Sequence, residues 1–353
     1  MKRIGFYLSG MFFTRWLMTA FGMITLAGLL DSLANASQIS ASDQGGALRY
    51  MTLRLPVIFD LLFLFSLMLA ILLTYVSLIR RNELVALQAA GLSSIAQIKA
   101  LFPIVLLISG LSLFAIDRTL PSSVQALNDW GIGEYKGGNV SSDAPLWIND
   151  NDLFVRIESR ENLQNLKNLT LFQRNADGYI QRVTWADTAR YDGSVWRLEN
   201  ISTMISEGLA FIPPPMEVWE TRQNPVLIDK LAADPRNLSI KDLRQFSTFS
   251  SSGSRPSAAY RVWLVKRLIL PVSALALLFL AVPIMQRLGR RDSGTAALII
   301  GVGITFLFLI LDGIMVTMGG AGALTPALAA LIASLLLGCG AAYLWLKQEL
   351  MEA

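Results

Sequence analysis

The sequence predicts a membrane α-helical protein: six transmembrane helices in two groups of three, with a β-rich domain inserted between the groups. Three observations carry this prediction. Of 353 residues, 53% are hydrophobic and only 16% are charged, whereas a soluble domain has about a quarter of its residues charged. The apolar residues gather into membrane-length runs near both ends of the chain. The middle third has a different texture, with short alternating runs rich in Val, Ile, Thr and aromatics.

A helix needs about 20 apolar residues to cross the hydrocarbon core. The runs place spans at about Met11–Leu33, Val57–Leu78, Leu101–Ile116, Leu268–Met285, Ala296–Met318 and Ala323–Leu346. The first contains Arg15, whose long stem can snorkel to the interface. No small-residue cleavage site breaks that run, so it reads as a span and not as a cleaved signal peptide. Lys and Arg in short connections set orientation. Lys2, Arg3, Arg80, Arg81, Lys99, Arg287, Arg290, Arg291 and Lys347 all fall on one side of a six-span path. That side reads as cytoplasmic, with both termini there, and the long central stretch as periplasmic. The division is 1–117 for the first three spans, 118–260 for the central domain and 261–353 for the last three.

The central stretch contains DLFVRIES (152–159), NLTLFQRN (168–175), YIQRVTWADTARYDG (179–193) and SVWRLENISTMI (194–205). Asp177-Gly178 and Asp192-Gly193 between them are hairpin turns, so these runs read as antiparallel strands. Pro213–Pro215 end the clearest strand pattern. LSIKDLRQF (238–246) reads as a short helix with Ser239 as its N-cap, and a Ser-rich link, 250–254, leads back to the membrane.

Several activities lose ground on composition. The chain has no His, so it lacks the commonest general base and metal ligand. It has one Cys, Cys339, in an apolar run, so no internal disulfide forms. It has no G-x-x-x-x-G-K-[ST] loop, and so no P-loop ATPase of its own. With a formal charge of +4, the basic residues set membrane orientation better than they would bind nucleic acid.

Four features could carry function. RRNELVALQAAGLSS (80–94) sits in a connection too short for a domain, yet is helix-forming from Glu83 to Ala90. Glu83 lies in the first turn, where the dipole favours a carboxylate. Gly91 fits the C′ position, and Ser93 or Ser94 can cap the next helix. Leu84 and Leu87 share a face, with Gln88 beside them. The segment reads either as a docking helix for a soluble partner or as a surface helix in the lipid headgroups. Second, Asp31, Asp60 and Asp312 lie in or at the ends of apolar runs, where charge is functional by default. Asp312 is the most deeply flanked. Third, Arg261, Lys266 and Arg267 crowd the outer start of span four, against the positive-inside trend, and suit an anionic headgroup. Fourth, the Phe-rich stretches 59–65 and 306–308 suit either a lipid-sized cavity or plain packing.

These residues resemble a known family. RRNELVALQAAGLS is similar to the cytoplasmic Glu-Leu stretch of the LptF/LptG (YjgP/YjgQ) lipopolysaccharide export permeases. YRVWLVKRLILPVSALALLFLAVP (260–283) resembles their span-four start, with a basic pair, Pro271 and Pro283. LWIND…LFVRIES, WADTARYDGSVWRLEN, the LS-x-x-x-L segment at 238–243 and the LILDG of span five are closer to the family's G subunits than to its F subunits. The likeness runs over nearly the whole chain.

The resemblance implies a periplasmic β-jellyroll-like domain whose open edge continues a bridge of strands. It implies a permease subunit of an ABC-type exporter that extracts lipopolysaccharide from the inner membrane and is not itself an enzyme. The partners implied are a homologous LptF-like permease, a cytoplasmic ATPase dimer, a single-span LptC-like protein and an LptA-like bridge. No cofactor is expected on this chain, since ATP and Mg belong to the ATPase. Glu83, Leu84, Leu87, Gln88 and Gly91 become the ATPase coupling helix. Asp31, Phe306, Phe308 and Asp312 become cavity or gate residues, since spans one and five form the family's lateral gate. Some members carry a lysine cluster after span one, where this chain reads LLDSLANASQ. Headgroup binding would then fall to Arg54, Arg261, Lys266 and Arg267, unless the headgroup itself differs. The rival reading is a membrane scaffold or signalling protein with a ligand-binding periplasmic domain. A stand-alone ion-coupled transporter would predict inverted repeats, and the two helical groups show no such symmetry.

Overall fold

The structure is a computed structural model that describes residues 2–41, 46–132, 145–150, 152–162, 164–175, 178–205, 216–221, 224–248, 255–288 and 295–352. Asp177, Pro213–Pro215, the Ser-rich link at 250–254, Arg290 and Arg291 lie outside the described residues. The chain divides into two compact units, Met1–Val124 with Arg261–Ala353, and Gln125–Tyr260.

The first unit is helical. Its elements are α1 (Lys2–Ala34), α2 (Ala36–Ala41), α3 (Gly46–Arg80), α4 (Glu83–Ala89), α5 (Ser94–Trp130, running on into the second unit), α8 (Ser257–Leu268), α9 (Leu270–Leu288), α10 (Thr295–Gly320) and α11 (Pro326–Glu352). Among the described residues five helices are long and apolar enough to cross a membrane, and six if α8 and α9 form one span. These helices overrun the apolar runs at both ends because polar turns extend a helix past the hydrocarbon. Thus α5 continues beyond Ile116 through Pro121 to Trp130.

α8 and α9 meet at a bend of 54°. The cause is local: Pro271 has no N–H for the carbonyl of Arg267, and its ring crowds that carbonyl.

α3 is the axis of this unit. It packs along α1 and also against α9 and α10, so the two helical groups share one core. Phe63, Leu67, Ile71, Leu72, Tyr75 and Leu78 of α3 are fully buried there, with Leu277, Leu278, Ala281 and Met285 of α9. α1 and α10 turn large side chains outward instead, Phe21 and Leu26 on one and Leu307 and Ile310 on the other. Such surfaces suit lipid or a partner helix and not water.

The second unit is a six-stranded antiparallel sheet in sequential order, with α6 (Pro225–Ala232) and α7 (Ile240–Thr248). The strands are β1 (Leu146–Asp150), β2 (Leu153–Asn162), β3 (Asn165–Arg174), β4 (Ile180–Tyr191), β5 (Trp196–Ile205) and β6 (Val218–Trp219). Residues of alternate register fill one face: Ile148, Val155, Ile157, Leu169, Leu171 and Ala186 are buried. β6 pairs only with Trp196 and Arg197, and the Trp196 and Trp219 rings stack 6.2 Å apart. Beyond that pair, Glu199–Ile205 of β5 has no second strand partner among the described residues.

At the β4–β5 turn, Gly193 takes φ 100°, a conformation only glycine adopts without strain. The Arg197 guanidinium beside Asp192, helped by the turn amides of Val195 and Ser194, holds the Asp192 carboxyl below the usual carboxylate range. Ser239 caps α7, its Oγ accepting from the Asp242 amide at 3.1 Å.

Candidate functional site

The α4 segment is built as a braced helix. Its C-terminus closes in a Schellman motif: the amide of Leu92 donates to the Leu87 carbonyl at 3.0 Å and that of Gly91 to Gln88 at 2.9 Å. Gly91 takes φ 83° to allow it. Ser93 then begins α5, its Oγ accepting from the Ala96 amide at 3.3 Å. At the other end Asn82 is left-handed and its side chain caps nothing. Glu83 is held across the fold, accepting from Tyr7 Oη of α1 at 2.7 Å, with Arg81 3.9 Å away.

Of the residues expected on the coupling helix, Leu84 is buried in the protein's own core and Leu87 packs half-buried beside it. These two positions lie on the bundle side, so they anchor the helix. The outward face carries Val85, which is 60% exposed, with Ala86 and Ala89. Spacing made Leu84 and Leu87 neighbours but could not tell which side the bundle takes. Gln88 is half-buried and Gly91 exposed.

Beneath α4 a buried polar network joins three helices. Tyr75 Oη of α3 donates to Gln97 Oε1 of α5 at 3.2 Å, and Gln286 Nε2 of α9 donates to the same oxygen at 3.0 Å. Ser94 Oγ donates to Gln286 Oε1. Gln97 Nε2 reaches the Leu92 carbonyl at 3.4 Å, so the network touches the cap of α4 itself. Buried polar groups satisfied this way fix one arrangement of helices. Gln97 and Gln286 were not singled out in the sequence. Gln97 lies just before span three and Gln286 just after span four, where polar residues are ordinary, so little in the sequence marks them.

Two ion pairs that join helices involve the expected site residues. Asp31 of α1 accepts from Arg54 Nε at 2.8 Å, Arg54 Nη2 at 3.0 Å and Tyr50 Oη at 2.9 Å. Arg54, expected as a headgroup ligand, is therefore engaged by Asp31. Lys266 of α8 pairs with Asp312 of α10, and its ammonium lies 6.0 Å from the Phe308 ring centre. A headgroup candidate and a gate candidate thus neutralise one another. Each pair links helices that sequence spacing could not match.

The remaining candidates separate. Phe308 is buried in the core, whereas Phe306 is 53% exposed with its ring 5.0 Å from that of Phe65. Arg261 is exposed and Arg267 buried. α10 approaches its neighbours closely: a Cβ on Gly319 would lie 2.3 Å from Ala329 Cβ and 2.9 Å from Val262 Cγ2.

Long apolar helices sharing one core, ion-paired carboxylates within them, and an inserted antiparallel sheet define a multi-pass membrane protein. The family described as lipopolysaccharide export system permease LptF/LptG matches residues 7–347, and the chain belongs to that family. It is a lipopolysaccharide export permease subunit of the inner membrane. The chain is similar to the lipopolysaccharide export system permease protein LptG of Escherichia coli K12, at 26% identity over 341 residues and 93% of each chain. It matches the protein of the same name from E. coli O6:H1 to the same extent. It is also similar to LptG of Haemophilus influenzae, at 23% over 307 residues, 83% of this chain and 85% of the relative. These names agree with the G-like segments of the sequence.

Proposed function

We propose that this permease subunit is driven by a separate cytoplasmic ATPase dimer that docks on the outward face of α4. The observation that carries this reading is the build of α4. A seven-residue helix is too short to be stable alone. Here it is held by Leu84 in the core, a Schellman cap and Tyr7, while Val85, Ala86 and Ala89 stay outside. A rigid helix with a small apolar outer face fits a partner's groove.

In the same reading both termini and α4 are cytoplasmic, following the Lys and Arg bias of the connections, and the sheet is periplasmic. α1 and α10 form the lateral gate with a homologous LptF-like subunit. The acyl chains of lipopolysaccharide pass by Phe306 on the outer face of α10. Arg261, exposed on α8, meets the anionic headgroup. The edge of β5 beyond Trp196, or that of β1, offers backbone groups for strand addition by an LptC-like protein and the LptA-like bridge. Drawing acyl chains from the bilayer costs about 0.8 kcal/mol per CH₂, so energy must enter from a partner.

Affinity isolation from membranes tests the docking claim. Wild-type chain should bring down an ATPase, and Val85→Arg should lose it while the unfolding temperature in detergent stays unchanged. Full recovery of the ATPase with Val85→Arg would remove α4 as the docking element.

A further inference from the structure

At the α4 end of the helical unit a groove of about 370 Å³ opens between α5, α9 and α11, lined by Ile95, Ile98, Lys99, Phe102, Phe279 and Trp345. Its volume lies in the range of ligand-binding pockets. Ile98 and Leu101 of α5 pack into the bundle core beside it, and the groove opens outside them. Ile95, Phe102 and Phe279 line it while remaining 39%, 36% and 39% exposed.

Its polar groups are few and both are donors. Lys99 is exposed and makes no ion pair among the described residues. The indole Nε1–H of Trp345 is buried and has no acceptor among them, and a buried donor left unpaired is costly. An apolar trough with a cation at its rim and an orphan N–H beside it is complementary to an amphiphile with an anionic head. A Lys and a Trp at the end of membrane helices is also the pattern that meets phospholipid headgroups.

We propose that this groove is a binding site for one anionic glycerophospholipid of the surrounding bilayer. One acyl chain lies along Phe102 and Phe279, the phosphate pairs with Lys99, and the Trp345 N–H donates to an ester or phosphate oxygen. The lipid fills the seam between α5 and the pair α9–α11, next to the network that reaches the cap of α4. The site rests on the groove and its donors alone and stands or falls independently of ATPase docking.

Native mass spectrometry of the purified, delipidated full-length chain, titrated with phosphatidylglycerol or phosphatidylcholine, tests it. One phosphatidylglycerol per chain is expected at saturation. Lys99→Glu should weaken it about tenfold or more, the scale of a lost charge-assisted hydrogen bond, with phosphatidylcholine binding little changed. Lys99→Arg should retain it, and Trp345→Phe should weaken both lipids alike. If Lys99→Glu does not fold, Phe279→Trp, which fills the groove, should abolish binding instead. Wild-type retention of phosphatidylglycerol in Lys99→Glu or Phe279→Trp overturns the proposal. So does a lipid-free dimer that depends on Lys99, which would make a second copy the occupant.

Discussion

Tyr7, in the second turn of α1, donates its phenol to the carboxylate of Glu83 at the first turn of α4, 2.7 Å away. The bond joins the first membrane-length helix to the short helix proposed to receive the ATPase. Without it, the start of α4 is held by Leu84 in the core, because Asn82 supplies no side-chain cap.

Tyr7→Phe should therefore loosen α4 without unfolding the protein. One hydrogen bond of this kind is worth about 1 kcal/mol, so amides of α4 should exchange with deuterium about fivefold faster, while those of α3 stay as they are. Equal exchange in both variants would show that Leu84 and the Schellman cap suffice.

Removing one partner of the Lys266–Asp312 pair leaves a charge unpaired among apolar helices. Both side chains are about an eighth exposed, 14% and 12%. Asp312→Ala should cost about 3–5 kcal/mol and lower the unfolding temperature in detergent. The double variant Lys266→Met/Asp312→Leu should recover most of the loss, since an apolar pair carries no desolvation penalty. Failure of the double variant to recover stability would mean that the charges do more than neutralise each other.

Gly319→Ala should destabilise the helical unit by about 1–3 kcal/mol, the cost of overpacking a close helix contact. The obstacle is Ala329 Cβ, which has no rotamer to move to. Gly313→Ala, where nothing lies within 4 Å, should be neutral or slightly stabilising. Equal unfolding temperatures for the two variants would contradict the close approach of α10 and α11.

In the sheet, Asp192 should titrate below the ordinary carboxylate value of about 3.9, because Arg197 and the turn amides favour its charged form. Its native pKa is depressed, so its contribution to stability is present above about pH 4 and is lost as pH falls through the native value. Nuclear magnetic resonance of the labelled full chain should show the depressed titration, and Arg197→Ala should return it most of the way. A normal value in the wild type would mean that the turn contacts do not form in solution.

The membrane layout was readable because each span is a long apolar run, and four strands were readable because their alternation and Gly turns are local. α4 was readable from Glu83 and Gly91, and α7 from Ser239, since caps are also local chemistry. α6 could have been found from Asn224-Pro225, an N-cap followed by a proline at the first helical position. β6 carries no such signal. It is two residues long and exists because Trp219 stacks on Trp196. The pairings within the candidate site were not readable, because Lys266 and Asp312 are 46 residues apart and Asp31 and Arg54 are 23 apart. Neither separation is a helical repeat, so only the packing of α8 on α10 and α1 on α3 brings them together.

In the function proposed, this chain moves lipopolysaccharide using energy received through α4. The most direct measurement is ATP-dependent release of lipopolysaccharide from proteoliposomes that contain the chain with its co-purifying permease mate and ATPase. Wild type should release lipopolysaccharide to a periplasmic acceptor only when ATP is hydrolysed. Val85→Arg should abolish release, and Tyr7→Phe should reduce it while the ATPase remains bound. Release by Val85→Arg at the wild-type rate would mean that the energy does not enter through α4.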